Sequence, residues 1–204
     1  MRSAAKFISF VFHPLLLTTY LVLLLSIFFP PMLMIKKETL LPIAGFVFMV
    51  TFVLPAFNLL TFRYFGNISS LSLGEHKERI LPFFFIALIY ILVTGLFYYK
   101  LPISANFIKL MVIISALVLA SAIVTIFYKV SIHSLALWGG IGILLPLNKV
   151  VENGALLWPT IGVIISAGLV MSSRLQLGAH VPREILIGSL MGFALGFSGM
   201  VILF

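Results

Sequence analysis

Arg174, His180 and Glu184 stand six and four residues apart in the stretch Ser173-Arg-Leu-Gln-Leu-Gly-Ala-His180-Val-Pro-Arg-Glu184. Each type suits one part of a phosphoryl-transfer site. A guanidinium holds phosphate oxygens through a planar fork of donors. An imidazole can attack phosphorus or shuttle a proton, and a carboxylate can orient that imidazole. The three follow a long apolar run, where ionisable side chains are costly and usually functional. The spacing predicts that the last apolar segment starts just after Pro182, a residue suited to a first helical turn. His180 and Glu184 then sit near a positive helix end, which favours a bound phosphate. If the turn continues helically, the spacing of four brings the glutamate under the histidine. The same residues would also suit an interfacial anchor at the lipid headgroups.

Two further groups have related chemistry. In Lys129-Val-Ser131-Ile-His133-Ser134 the hydroxyl of Ser131 and the amides of a helix start can hold a phosphate oxygen. His133 can give a proton to a leaving oxygen. In Glu75-His-Lys77-Glu-Arg79-Ile-Leu-Pro82, Lys77 and Arg79 can neutralise phosphate. Taken alone, the first of these groups also reads as a capped helix start and the second as a solvated charged loop.

The elements that must position these residues are apolar. The chain has 204 residues, of which 62% are hydrophobic and 9% charged, well beyond the composition of a soluble globular chain. Seven apolar segments are expected, over about residues 7–29, 40–62, 80–99, 106–128, 133–147, 155–173 and 185–204. The fold expected is therefore all-α, a polytopic transmembrane helix bundle of about seven spans, or six, forming one domain over residues 1–204. The fifth segment is short, and Gly139, Gly140, Gly142 and Pro146 weaken it as a regular helix. The first, after Met1-Arg-Ser-Ala-Ala-Lys6, reads as a retained span, since no small-residue cleavage site follows it.

Each span carries the chain across the bilayer, so alternate connections share a face. Arg79, Ser131, His133, Arg174, His180 and Glu184 fall on one face with Lys77, and so do three of the four histidines, His76, His133 and His180. That convergence is the strongest sequence argument for a single site. The other face carries mostly lysines, among them Lys36, Lys37, Lys100 and Lys149. Apart from the site residues, basic residues divide almost evenly between the faces, so the positive-inside rule does not orient the chain.

The net charge is +8, with five glutamates and no aspartate. This excess suits anionic headgroups or an anionic substrate. The basic residues are scattered among apolar spans, which argues against nucleic-acid binding. There is no cysteine, which excludes disulfides and thiolate metal sites. Gly188, Gly192 and Gly196 recur every four residues and suit close helix packing inside the monomer, or a dimer contact. His13, beside Pro14, reads as a hydrogen-bonded structural residue.

The three ordered groups resemble the type-2 phosphatidic acid phosphatase superfamily, whose signature runs K-x6-R-P, P-S-G-H and S-R-x5-H-x3-D. Ser173-Arg174, His180 and Glu184 match the third part in spacing, with glutamate where the pattern has aspartate. Ser131 and His133 match the second, with Val130 for proline and Ile132 for glycine. Lys77, Arg79 and Pro82 match the first in a compressed form. The chain is also similar to a short, seven-span subgroup associated with Bacteroidota. The resemblance covers residues 129–190 most closely and is weak before about residue 60.

The resemblance implies an integral-membrane lipid phosphatase that removes a phosphomonoester or diphosphate group through a phosphohistidine. His180 would be the nucleophile, Glu184 its orienting carboxylate and His133 the proton donor to the leaving oxygen. Arg174, Arg79, Lys77 and Ser131 would bind phosphate, and no metal or other cofactor would be required. The expected partners are a membrane lipid phosphate and the bilayer, with a homo-oligomer or a membrane-complex partner as further options. The expected location is a bacterial inner membrane, with the site on the extracytoplasmic side. The altered motifs also suit an alternative, a catalytically degenerate, non-enzymatic membrane-complex subunit or anionic-lipid binder.

Overall fold

The computed structural model describes residues 2–70, 73, 76–101, 103–151 and 154–204, and these contain helices and no strand. The side chain of His76 lies outside the described residues. The order is α1 (Arg2–Val11), α2 (Pro14–Phe28), α3 (Pro30–Leu33), α4 (Lys37–Phe48), a π-helical turn (Met49–Val53), α5 (Leu54–Tyr64), α6 (His76–Lys100), α7 (Ala105–Phe127), α8 (Ile132–Val150), α9 (Leu157–Gln176) and α10 (Pro182–Leu203). Five of these stretches are long and apolar enough to cross a membrane: Lys37–Tyr64, α6, α7, α9 and α10. The pair α1 and α2 makes a sixth if taken as one bent span. The molecule is a multi-pass membrane helix bundle.

The structure differs from the expected segments at two places. The first is a helix pair bent by 56° at residues 12 and 13, where Pro14 cannot continue α1. The fifth, expected to be short and irregular, is a regular 19-residue helix, α8. Of the seven expected segments it is the one not among the helices long and apolar enough to cross a membrane, so the structure supports five such spans or six, and α2, α9 and α10 pack against it. At 1.5 Å per residue it is about 28 Å long, close to the roughly 30 Å hydrocarbon core.

The glycines of α8 and α10 serve close approach within the monomer. A Cβ on Gly188, Gly192 or Gly196 would meet the carbonyl oxygens of Ser131, Leu135 or Gly139 at 2.7, 2.1 or 2.3 Å. A Cβ on Gly142 would meet the backbone of Phe193 at 2.6 Å. Both helices therefore present bare backbone along one seam, the small-residue packing that lipid-embedded helices use. This seam fixes the height of α10 against α8, and with it the height of His180 and Glu184 against Ser131 and His133.

Polar side chains tie other helices together. Asn148 Nδ2 donates to Thr160 Oγ1 at 2.7 Å, joining α8 to α9, and the hydroxyls of Thr94 and Ser115 lie 2.8 Å apart between α6 and α7. The π-helical turn has a local cause. Pro55 has no N–H to offer the carbonyl four residues back, at Thr51. The buried hydroxyl of Tyr90 donates to that carbonyl at 3.2 Å, so the freed acceptor is satisfied across the bundle.

Candidate active site

The N-terminal ends of four helices, α2, α6, α8 and α10, meet the C-terminal end of α9 at one end of the bundle. This is the face on which alternation of the spans placed the charged groups. His13, Arg79, His133, Arg174 and His180 all line one cavity there, of about 460 Å³. Helix N-termini carry partial positive charge, and two guanidiniums add to it, so the polar end of the cavity favours an anion.

The link from α9 to α10 brings Arg174 to His180. The helix ends in a Schellman turn: Gly178 takes φ +65° and donates to the Leu175 carbonyl, and Ala179 donates to the carbonyl of Arg174. The chain leaves extended at Val181 and restarts at Pro182. His180 is therefore outside the helix, not one turn below the glutamate within it. Glu184, third in α10, reaches back as a capping glutamate would and meets the imidazole instead of a backbone amide. His180 Nδ1 lies 2.6 Å from Glu184 Oε2, and the His180 side chain is only 2% exposed. With the carboxylate accepting and Nδ1–H donating, Nε2 keeps its lone pair.

Burial pushes the His180 imidazole below its ordinary range, the Glu184 hydrogen bond opposes this, and Arg79 and Arg174 push it further down. The residue holds a neutral ring with one unprotonated nitrogen, the form a nucleophile requires.

The two arginines differ in their tethers. Arg79 is 5% exposed, and its Nε donates to the Leu73 carbonyl while a terminal nitrogen reaches the Val130 carbonyl at 3.5 Å. Arg174 is half-buried, and its Nε is a buried donor without a hydrogen-bond partner. Among the described residues the one charged side-chain contact within ion-pair distance is His180 with Glu184, so neither guanidinium has a carboxylate in direct contact. A buried donor left open beside a cavity is the arrangement an anion would complete.

His133 is fixed by the bend in the first span. Its Nε2 lies 3.2 Å from the carbonyl of Ser9 in α1, and a carbonyl only accepts, so Nε2 carries the proton and Nδ1 is left for exchange. Its ring meets that of His13 edge-on, with centroids 5.8 Å apart. His13 caps α2: its Nδ1 accepts from the Leu15 amide at 3.4 Å, which leaves Nε2–H as a donor on a ring lining the cavity. The structural role expected for His13 is present, and the residue belongs to the site as well. The signal in the sequence was His-Pro inside an apolar run, where the proline breaks the helix and leaves the histidine as its cap.

Two expected phosphate ligands stand elsewhere. Ser131 is wholly buried as the cap of α8: its Oγ accepts from the Ser134 hydroxyl at 3.0 Å and faces the Ser134 amide at 3.4 Å. Its own amide donates to the Glu184 carbonyl at 3.1 Å, so it joins α8 to α10 and does not line the cavity. Lys77 is exposed in the first turn of α6 and does not line the cavity either, because its neighbour Arg79 takes the inward position two residues on. Among the described residues no three metal-ligating side chains come together as an ion site.

Compared with known proteins, the chain matches no family model, no curated protein and no solved structure.

Proposed function

We propose that the protein is an integral-membrane lipid phosphate phosphatase. The observation that carries this reading is the His180 and Glu184 pair. It leaves a neutral imidazole nitrogen unprotonated in a cavity that also holds two arginines with no direct carboxylate partner among the described residues. A phosphomonoester or diphosphate headgroup supplies the missing negative charge.

In the proposed reaction, Nε2 of His180 forms a bond to phosphorus, and the phosphorus–oxygen bond to the lipid breaks. Glu184 holds the Nδ1 proton and stabilises the charge developing on the ring. The headgroup binds as its monoanion and passes its proton to Nδ1 of His133; the leaving oxygen then takes the electron pair of the broken bond and that proton from Nδ1. The Ser9 carbonyl keeps that ring oriented through Nε2–H, and the bound anion supplies the counter-charge for the imidazolium. Arg79 and Arg174 hold the non-bridging oxygens, and His13 adds an Nε2–H donor. Water then attacks phosphorus, giving its proton to His133. The bond to His180 breaks, and inorganic phosphate leaves with the proton held by His133, which returns that ring to its neutral form. By the same resemblance, the site faces the extracytoplasmic side of a bacterial inner membrane; a reporter fused after Phe204 and active only outside the cytoplasm would contradict this.

The test is a phosphate-release panel on purified protein without added metal, using phosphatidic acid, phosphatidylglycerol phosphate, an isoprenyl diphosphate and a lipid A phosphate. Wild type releases phosphate from at least one, and His180→Ala releases none. Activity persisting in His180→Ala would remove the proposed nucleophile.

A second reading is an anionic-lipid binder without turnover, alone or as a complex subunit. The placement of Ser131 and Lys77 outside the cavity favours it, since two expected phosphate ligands are missing from the site. Saturable phosphate-lipid binding with no release across the panel is its expected result.

A further inference from the structure

The first helix is built differently from the rest. The long passes of the bundle are apolar nearly all round, whereas the residues of α1 segregate by type around its axis. At about 100° per residue, Arg2 and Lys6 share one stripe and Phe10 and Phe7 the next. Val11, Ala4 and Ile8 form the third, and Ala5 and Ser9 the last. Ala5 and Ser9 are the buried residues of α1, which packs on α9. Phe7 and Phe10 are 67% and 68% exposed.

The up and down directions follow from Ile8. It packs on the cluster of Leu137, Ile141, Ala167 and Val170. Those residues lie about one to two turns from His133 and Arg174 toward the middle of the membrane. Arg2 and Lys6 are exposed on the opposite stripe, so they point away from the hydrocarbon. A bend of 56° joins α1 to the start of α2, at the end of the bundle that holds the site. With a basic stripe above, an apolar stripe below, aromatic rings to the side and small residues against the protein, α1 has the pattern of a helix lying in the membrane interface. It contains no acidic residue, and neither Arg2 nor Lys6 has a carboxylate within ion-pair distance among the described residues. Two unpaired cations call for an anionic surface, and the rings beside them call for a lipid one.

The same helix touches the site. The chain breaks before Pro14, and the His13 amide turns to the Phe10 carbonyl at 3.2 Å. In a continuous helix that amide would take the Ser9 carbonyl. The Ser9 carbonyl instead faces His133 Nε2 at 3.2 Å. Among the described residues this is the one hydrogen bond of the His133 ring. The tautomer and tilt of that ring thus depend on where α1 lies.

We propose that α1 is a docking helix for an anionic lipid surface, and that seating Arg2 and Lys6 on the headgroups holds the Ser9 carbonyl against His133. The helix is a positioning element, and the surrounding lipid regulates turnover through it. Two such cations favour an anionic over a neutral surface by about 30-fold. In a neutral bilayer α1 leaves its seat, and His133 loses its fixed tautomer. The inference rests on the phosphatase reading only where turnover is concerned.

The experiment uses the full chain in nanodiscs of phosphatidylcholine, alone or with about one-third phosphatidylglycerol. Wild type is compared with Arg2→Gln/Lys6→Gln and with Lys36→Gln/Lys37→Gln, which loses the same charge from the other end of the bundle. All four lysine and arginine positions are exposed, and glutamine suits a helix, so both variants are compatible with folding. The chain has no cysteine, so Ser3→Cys, at an exposed position, carries a single spin label on α1 in each background.

In wild type and the Lys36/Lys37 variant, the label is less mobile in anionic than in neutral nanodiscs. Nitrogen NMR of labelled histidine shows His133 with its proton on Nε2 in the anionic nanodiscs and as a mixture of tautomers in the neutral ones. The kcat at saturating p-nitrophenyl phosphate, a soluble substrate, is higher in the anionic nanodiscs by about threefold or more. Arg2→Gln/Lys6→Gln loses all three differences. Equal label mobility in the two lipids would overturn the docking. A restricted label with an unchanged His133 tautomer, or with unchanged kcat in an active enzyme, would overturn the coupling. An acidic protein that co-purifies and restricts the label in neutral lipid would assign the basic stripe to a protein partner and overturn the lipid proposal. If neither p-nitrophenyl phosphate nor any lipid of the panel is hydrolysed, the phosphatase reading fails, and label mobility and the His133 tautomer decide this proposal by themselves.

Discussion

Nδ1 of His180 and Oε2 of Glu184 lie 2.6 Å apart although the histidine is outside α10 and the glutamate is at its third residue. The contact depends on glutamate's length, because the carboxylate must reach back past the helix start. The resemblance would put aspartate here, and the geometry explains why glutamate suits this chain. Glu184→Asp is expected to lower kcat/KM for phosphate release by about 10–100-fold, since a 1 Å misplacement has that scale of effect. Glu184→Gln keeps the reach but permits the wrong tautomer, and a loss of about 10²–10⁴-fold is expected by comparison with the triad carboxylate. An aspartate variant as active as wild type would show that the reach is not what matters.

Arg79 and Arg174 should separate in stability measurements. Arg79 satisfies the carbonyls of Leu73 and Val130, so Arg79→Met leaves two acceptors open and lowers stability by about 1–3 kcal/mol. Arg174 has a buried Nε without a partner, and removing a desolvated cation can stabilise a fold. Arg174→Met is expected to keep or raise the Tm while abolishing stabilisation by inorganic phosphate. Thermal unfolding with and without phosphate checks both, and a large fall in Tm for Arg174→Met without phosphate would contradict the open-donor assignment.

The depressed imidazole of His180 sets a direction for pH. In the proposed reaction its neutral form is the nucleophile, and its pKa lies below the unperturbed value of about 6.5. Nitrogen NMR of labelled histidine should therefore show His180 still neutral, with the proton on Nδ1, as pH falls through 6.5. The unfolded chain takes up that proton first, so this residue's contribution to stability is full above about 6.5 and is lost as pH falls toward the folded pKa. Titration of His180 at or above 6.5 would contradict the balance of burial and arginine charge over the glutamate bond.

The seam between α8 and α10 predicts a sharp contrast among glycines. Gly192→Ala places a methyl 2.1 Å from the Leu135 carbonyl, so the helices must separate, at a cost of about 1–3 kcal/mol. The same movement carries His180 and Glu184 away from His133, so activity falls with stability. Gly168→Ala meets nothing within 4 Å and should be neutral or stabilising by up to about 1 kcal/mol. Detergent-based unfolding of the two variants distinguishes them, and equal stability would refute the close seam.

The sequence by itself determined the class and the vertical order. Long apolar runs can satisfy their backbone inside a bilayer only as helices, so composition alone decides an all-helical membrane bundle. Counting passes then decides which charged residues share an end of it, and Arg79, His133, Arg174 and His180 do share one. What hydropathy could not decide is how each helix is turned about its own axis. Lipid is as apolar as the bundle interior, so no amphipathic stripe marks the inward face. That rotation puts Arg79 into the cavity and leaves Lys77 outside, makes Ser131 a helix cap, and brings His13 to His133 through the bend before Pro14. Backbone contact along the glycines of α8 and α10 sets the last of these heights. Gly-x-x-x-Gly spacing announces such a contact, but only the folded pair shows that its partner is α8 of the same chain.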